Sequence, residues 1–193
     1  LSFYWVQLAD FKEERPAGES DWAELREAQT MALRLPNTGQ AVITDLGEGR
    51  DIHPRNKYDV AGRLVRWALV KDYGMSFAYR SPELKECVFE GGKARVTLEL
   101  FGSKLRPFDV LDARGFVVCG EDRVWRVARG EILDLARGVI EVSSPEVVKP
   151  IALRYAWADN PTCNLFNDAG LPVTPFRTDA FEMITKPKTA PGK

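Results

Sequence analysis

AVITDLGEGRDIHPRNKYDVAGRLVRWALVKDY, residues 41–73, decides how the rest of the chain is read, and it holds the sole histidine of the sequence, His53. Its order is a short β-branched run at 40–44, a polar loop carrying Asp51, Ile52 and His53, and then a helix opened by Pro54, a residue suited to the first helical position. Val60, Leu64, Trp67 and Ala68 recur at helical spacing, and Gly74 marks the helix end. In open parallel sheets, ligand and catalytic groups sit just beyond the carboxyl ends of strands, in loops leading into helices. His53 falls in such a loop, where Gly47 and Gly49 permit a tight backbone path.

Working outward, FYWVQL at 3–8 reads as a second buried strand. Between the two runs lie a polar connection containing Pro16 and Gly18, a D-x-x-E capping box at Asp21 and Glu24, and an apolar face formed by Leu25, Ala28, Ala32 and Leu35. The sequence PNTG at 36–39 stops that helix. This β-α-β-α order predicts the C-terminal portion of a three-layer α/β domain with a parallel sheet, over residues 1–80. The first strand begins almost at the first residue, without a Met or a charged leader, so the chain is expected to be the end of a larger fold.

From about Pro82 the period changes to two. Ala94, Val96, Leu98 and Leu100 alternate with Arg95, Thr97 and Glu99, while Ile151, Leu153, Tyr155 and Trp157 alternate with Ala152, Arg154 and Ala156. Further short strands fall at 116–119, 124–128 and 139–142, which predicts a small antiparallel, sandwich-like β-domain over 81–181. Within it, residues 160–179 read as an irregular strap anchored by Leu165, Phe166, Leu171 and Phe176, and 182–193 as a mobile tail.

Composition narrows the function classes. The 193 residues are 45% hydrophobic and 28% charged, with a formal net charge of −1 and no basic stripe, so neither nucleic acid nor an anionic membrane surface is an expected partner. No apolar run approaches the roughly 20 residues of a membrane span. Cys87, Cys119 and Cys163 share no metal-ligand spacing with His53, so no metal or cofactor is expected; they read as small buried residues, or as one disulfide with one free thiol in an oxidising compartment.

Several runs together carry a resemblance: VQLA at 6–9, Trp22 with LREAQ at 25–29, DIHPRNK at 51–57, RYAWADNP at 154–161, and GLP at 170–172 with PFRTD at 175–179. In this order they resemble the C-terminal half of sialate O-acetylesterases, which with related plant-polysaccharide acetylesterases belong to the SGNH hydrolases. The resemblance implies that the three-layer domain is of the SGNH, flavodoxin-like kind and that His53 is the general base of a serine esterase acting on acetylated carbohydrate. It also implies a secreted, periplasmic or lysosomal setting. Many SGNH enzymes place the acid three residues before the histidine, but here that residue is Arg50.

Asp51 offers a D-x-H alternative. In an extended segment residues two apart face one side, about 6 to 7 Å apart along the chain, within reach of His53 Nδ1. The other readings are that Asp51 caps the turn or pairs with Arg55, and that a backbone carbonyl orients the ring. The family's Gly-Gln-Ser-Asn nucleophile motif and its oxyanion-hole blocks do not occur in this sequence. The resemblance therefore implies a chain inert by itself, with its serine on an N-terminal portion or partner chain. Arg26 and Gln29 read as a structural polar clamp. The rival function is a non-catalytic glycan-binding module using Trp125, Tyr155 and Trp157, although the alternation puts the last two on a core face.

Overall fold

In a computed structural model, residues 1–15 and 18–186 are described. Part of the first polar connection, at 16–17, and the end of the expected tail, at 187–193, lie outside them.

The dominant element is a seven-stranded sheet, not the parallel sheet of a three-layer domain. It is built from β4 (Glu83–Glu90), β5 (Lys93–Glu99), β7 (Ala113–Cys119), β8 (Arg126–Asp134), β9 (Val139–Ser143), β10 (Ala152–Tyr155) and β13 (Phe176–Arg177). The spatial order is β13-β10-β7-β8-β9-β5-β4, every pair antiparallel. The sheet curls until its edges nearly meet: Thr174 N, just before β13, donates to Pro82 O, just before β4, at 2.9 Å. Register shifts at 84/86, 113/116 and 132/134 mark bulges, which increase local twist and help a sheet to close. At one of them Gly115 has φ +100°, and a Cβ there would lie 2.6 Å from that of Cys163, so only glycine fits.

The alternating residues fill the inside of this curl. Val96, Phe116, Val118, Ile140, Leu153 and Tyr155 are fully buried and form the main core. On β10 the outward side is buried as well, because Arg154 pairs with Asp179 at 2.9 Å through two hydrogen bonds and lies 4.3 Å from the Trp125 ring centre. The expected strap contributes β12 (Leu165–Asn167), which pairs with β6 (Leu105–Pro107), as well as the edge strand β13.

The three-layer SGNH-type expectation is thus overturned. Parallel pairing among the described residues is confined to β1 (Phe3–Val6) with β3 (Thr38–Ala41), four residues each, and a two-residue bridge between β2 (Glu14–Arg15) and β11 (Asn160–Pro161). Two short strands cannot make the layer such a domain requires, and β1 itself is only partly buried.

Two helices accompany the parallel pair. Helix α1 (Asp21–Met31) is capped by Ser20, whose Oγ accepts from Ala23 N at 3.0 Å. Asp21 is therefore inside the helix, and Glu24 instead accepts from Ile184 N at 2.7 Å and Thr185 N at 3.0 Å. The face predicted to be core is the exposed one: Leu25, Ala28 and Leu35 point outward, while Ala23, Glu24 and Arg26 are buried. Arg26 reverses the pattern. Its guanidinium donates to the carbonyls of Leu8 (2.9 Å), Ala9 (2.8 Å), Ala158 (2.7 Å) and Asp159 (2.8 Å). Burial lowers its pKa to about 10, with Asp10 the leading opposing charge. Gln29 Oε1 accepts from Leu8 N at 2.9 Å, completing the clamp.

Helix α2 (Lys57–Lys71) starts three residues later than Pro54, because Asn56 is the cap and its Oδ1 accepts from Asp59 N at 3.1 Å. Its one fully packed side chain is Trp67, whose Nε1 donates to Gln40 O at 2.8 Å. A Cβ at Gly39 of β3 would lie 2.4 Å from that indole, so glycine makes the contact possible. Among the described residues no helix is long and apolar enough to cross a membrane.

Candidate active site

The loop after β3 is fixed at its base before it reaches His53. Asp45 receives two hydrogen bonds from Arg63 of α2, which also donates to Val42 O at 2.9 Å. Gly47 N donates to Asp10 Oδ1 at 2.6 Å, and an added Cβ at Gly47 would lie 2.1 Å from Asp10 O. At Gly49 the equivalent atom would meet Lys12 O at 2.6 Å. Both glycines therefore serve close approach to the 10–12 segment, and neither has a positive φ.

The tip then folds back. Asp51 N donates to Glu48 O at 3.0 Å, and Asp51 Oδ1 accepts from His53 N at 2.9 Å in an Asx-type turn. The same oxygen lies 3.2 Å from His53 Nδ1. The two residues meet through a turn and not through an extended segment. Turn capping and ring contact, posed as alternatives, coexist on one oxygen, while Arg55 pairs with Glu48 at 3.3 Å. The hydrogen bond from His53 N is the largest influence holding the Asp51 carboxyl below its usual range, with the ring contact adding to it.

The pair is open to solvent, with side-chain exposures of 83% for His53 and 43% for Asp51. A contact this exposed contributes little to stability. Its chemical content is orientation: with Nδ1–H donated to the carboxylate, Nε2 is left as the proton acceptor and faces away from Asp51. No serine hydroxyl is hydrogen-bonded to the ring among the described residues. Nor does any cluster of three or more His, Cys, Asp or Glu suit a metal ion among them. All three cysteines are free thiols, and burial pushes Cys163 up to about 11.

The aromatic residues considered for glycan binding are committed elsewhere. Tyr155 and Trp157 are buried, and Trp125 stacks on Arg154. What the sequence did not reveal is a cavity of about 570 Å³ beside the base of the His53 loop, lined by Asp10, Thr44, Asp45, Arg63, Asn160 and Phe108 among others. Its walls come from segments more than a hundred residues apart, and no local pattern signals that.

No protein-family profile matches the chain, and no curated protein matches it. Among solved structures it is similar to the crystal structure of a carbohydrate acetylesterase from Xanthomonas citri, at 43% identity with a TM-score of 0.87, over 94% of this chain and 42% of that one. The chain thus spans about two fifths of the length of the acetylesterase it resembles.

Proposed function

We propose that this chain is the histidine-bearing part of a carbohydrate O-acetylesterase, a hydrolase of the serine-dependent SGNH class in its chemistry. The observation that carries the reading is the Asp51–His53 contact at 3.2 Å, in a chain 43% identical to a carbohydrate acetylesterase. In this reading His53 Nε2 takes the proton of a serine hydroxyl as its oxygen attacks the acetyl carbonyl carbon. The resulting imidazolium, steadied by Asp51, returns the proton to the leaving sugar oxygen. Water then attacks the acetyl-serine, again with His53 as base, releasing acetate and restoring the serine hydroxyl.

The serine belongs to an N-terminal portion of the same enzyme or to a partner chain, and this chain alone is inactive. Three features support a missing surface: the exposed Leu25 of α1 and Leu35 just beyond it, the solvent exposure of Phe3 on β1, and the openness of His53 itself. Docking there would take the Asp51–His53 pair out of water and strengthen it. Residues 1–80 would form the His53-bearing part of the catalytic body, with 81–181 a C-terminal β unit and 182–193 a tail. The substrate class is acetylated carbohydrate, either sialic acid or plant-polysaccharide sugars, met in a secreted, periplasmic or lysosomal compartment.

The test is fluorophosphonate labelling of the full-length protein, followed by mapping of the modified residue. Labelling of a serine outside this chain, lost together with 4-nitrophenyl acetate hydrolysis in His53→Ala, is the expected result. Acetylester hydrolysis by residues 1–193 alone would overturn the division of labour.

A further inference from the structure

The cavity beside the loop base differs in character from the exposed His53 tip. Thr44 lines it, is 3% exposed, and its Oγ1 is buried without a hydrogen-bond partner. An unpartnered buried hydroxyl is uncommon and calls for a ligand or water. Asp10, also buried in the wall, uses Oδ1 for Gly47 N, and burial raises its carboxyl above the usual range. At the mouth Phe108 is 69% exposed and packs edge-on against Phe166 at 6.2 Å, an apolar face beside polar groups. The volume falls within the roughly 300–1,000 Å³ of small-molecule sites.

A second hollow continues the first. It shares Glu14 and Asn160 with the cavity and adds Gly49 and Arg50, which bring it along the His53 loop. The charges of the first cavity select among ligands. Asp10, Glu14 and Asp45 stand against Arg63 and Arg106, and Arg63 is already bound by both oxygens of Asp45. With that pair neutralised, a carboxylate ligand would meet two acids, Asp10 and Glu14, and one guanidinium, that of Arg106. A polyhydroxyl ring fits better, its C–H face on Phe108 and its hydroxyls toward Thr44 and Asp10.

We propose that this cavity is a subsite for a neutral sugar ring, so that a neutral glycan lies along the groove with an acetylated neighbour reaching His53. The inference rests on the acetylesterase reading for its purpose, but the binding step is independent of hydrolysis. The test is titration of the full-length protein, by saturation-transfer NMR and calorimetry, with unacetylated xylotriose and with sialyllactose. Xylotriose should bind saturably and more tightly than sialyllactose. Phe108→Ala should weaken it about fivefold or more, and Thr44→Val about threefold or more, with melting temperatures near wild type. No saturable xylotriose binding, or binding insensitive to both substitutions, would reject the subsite. Tighter sialyllactose binding would reject the neutral class. Loss of 4-nitrophenyl acetate hydrolysis in His53→Ala reports on the acetylesterase reading separately, so either idea can fail alone.

Discussion

A single oxygen of Asp51 accepts both the backbone N–H of His53 at 2.9 Å and contacts its ring Nδ1 at 3.2 Å. Loop shape and ring orientation are therefore controlled by one carboxylate. Asparagine can keep the backbone bond, but it cannot supply the negative charge that stabilises an imidazolium. Asp51→Asn in the full enzyme should cut turnover by about 10²- to 10⁴-fold with little change in Michaelis constant. A fall under about fivefold, measured beside Asp45→Asn and Glu48→Gln, would assign Asp51 to the turn alone.

His53→Ala should lower acetylester hydrolysis by about 10³-fold or more. Because the ring is so exposed, the melting temperature should stay nearly unchanged. Activity within tenfold of wild type would make His53 a surface residue.

Arg26→Ala should destabilise the protein by about 3–5 kcal/mol in urea unfolding, because four main-chain carbonyls lose a charged donor inside the fold, and among the described residues only those of Ala9 and Asp159 keep another, from Trp22 Nε1 and Phe11 N. Arg26→Lys should recover little, since an ammonium cannot span the fork of acceptors. A loss under about 1 kcal/mol for the alanine variant would contradict the clamp.

Asp179 gives a pH signature. Burial alone would raise its carboxyl, but the hydrogen bonds and charge of Arg154 outweigh this and hold it below the usual range. A depressed folded-state pKa contributes stability that is full above the unfolded value of about 3.9 and is lost as pH falls through the folded value. Wild type should therefore lose stability below about pH 4 more steeply than Asp179→Asn, measured by urea titrations at several pH values. Parallel slopes would exclude the pair as the source.

Gly39→Ala should cost about 1–3 kcal/mol by displacing the Trp67 indole, and Trp67 fluorescence should change with it. Unaltered stability would mean that the helix α2 contact is softer than its geometry.

The antiparallel half was legible where one side of a strand is dry, as at 93–100, since Ala94, Val96 and Leu98 all face the core. β4 was not, because Leu84, Cys87 and Phe89 are only half-buried and charged residues interrupt them. The misreading came from FYWV and AVIT, whose apolar content suggested a buried parallel sheet although Phe3 is exposed and residues 42–44 are buried outside any strand. Helix α1 misled for the opposite reason: its buried face is polar because Arg26 has carbonyls to satisfy. At the site, the D-x-H spacing revealed the reach from Asp51 to His53, but not the Asx-type turn that achieves it. The cavity around Thr44 was invisible, since Asp10 and Asn160 come together only through the finished fold.

Arg26 also sets an order of events during synthesis. Two of its acceptors, on Ala158 and Asp159, leave the ribosome long after helix α1 has been made. Until then the guanidinium must remain hydrated, and the outward apolar stripe of α1 cannot yet be told from its inward face. The first helix is thus locked into its final orientation only after residues 158–159 have been made and have folded back onto it.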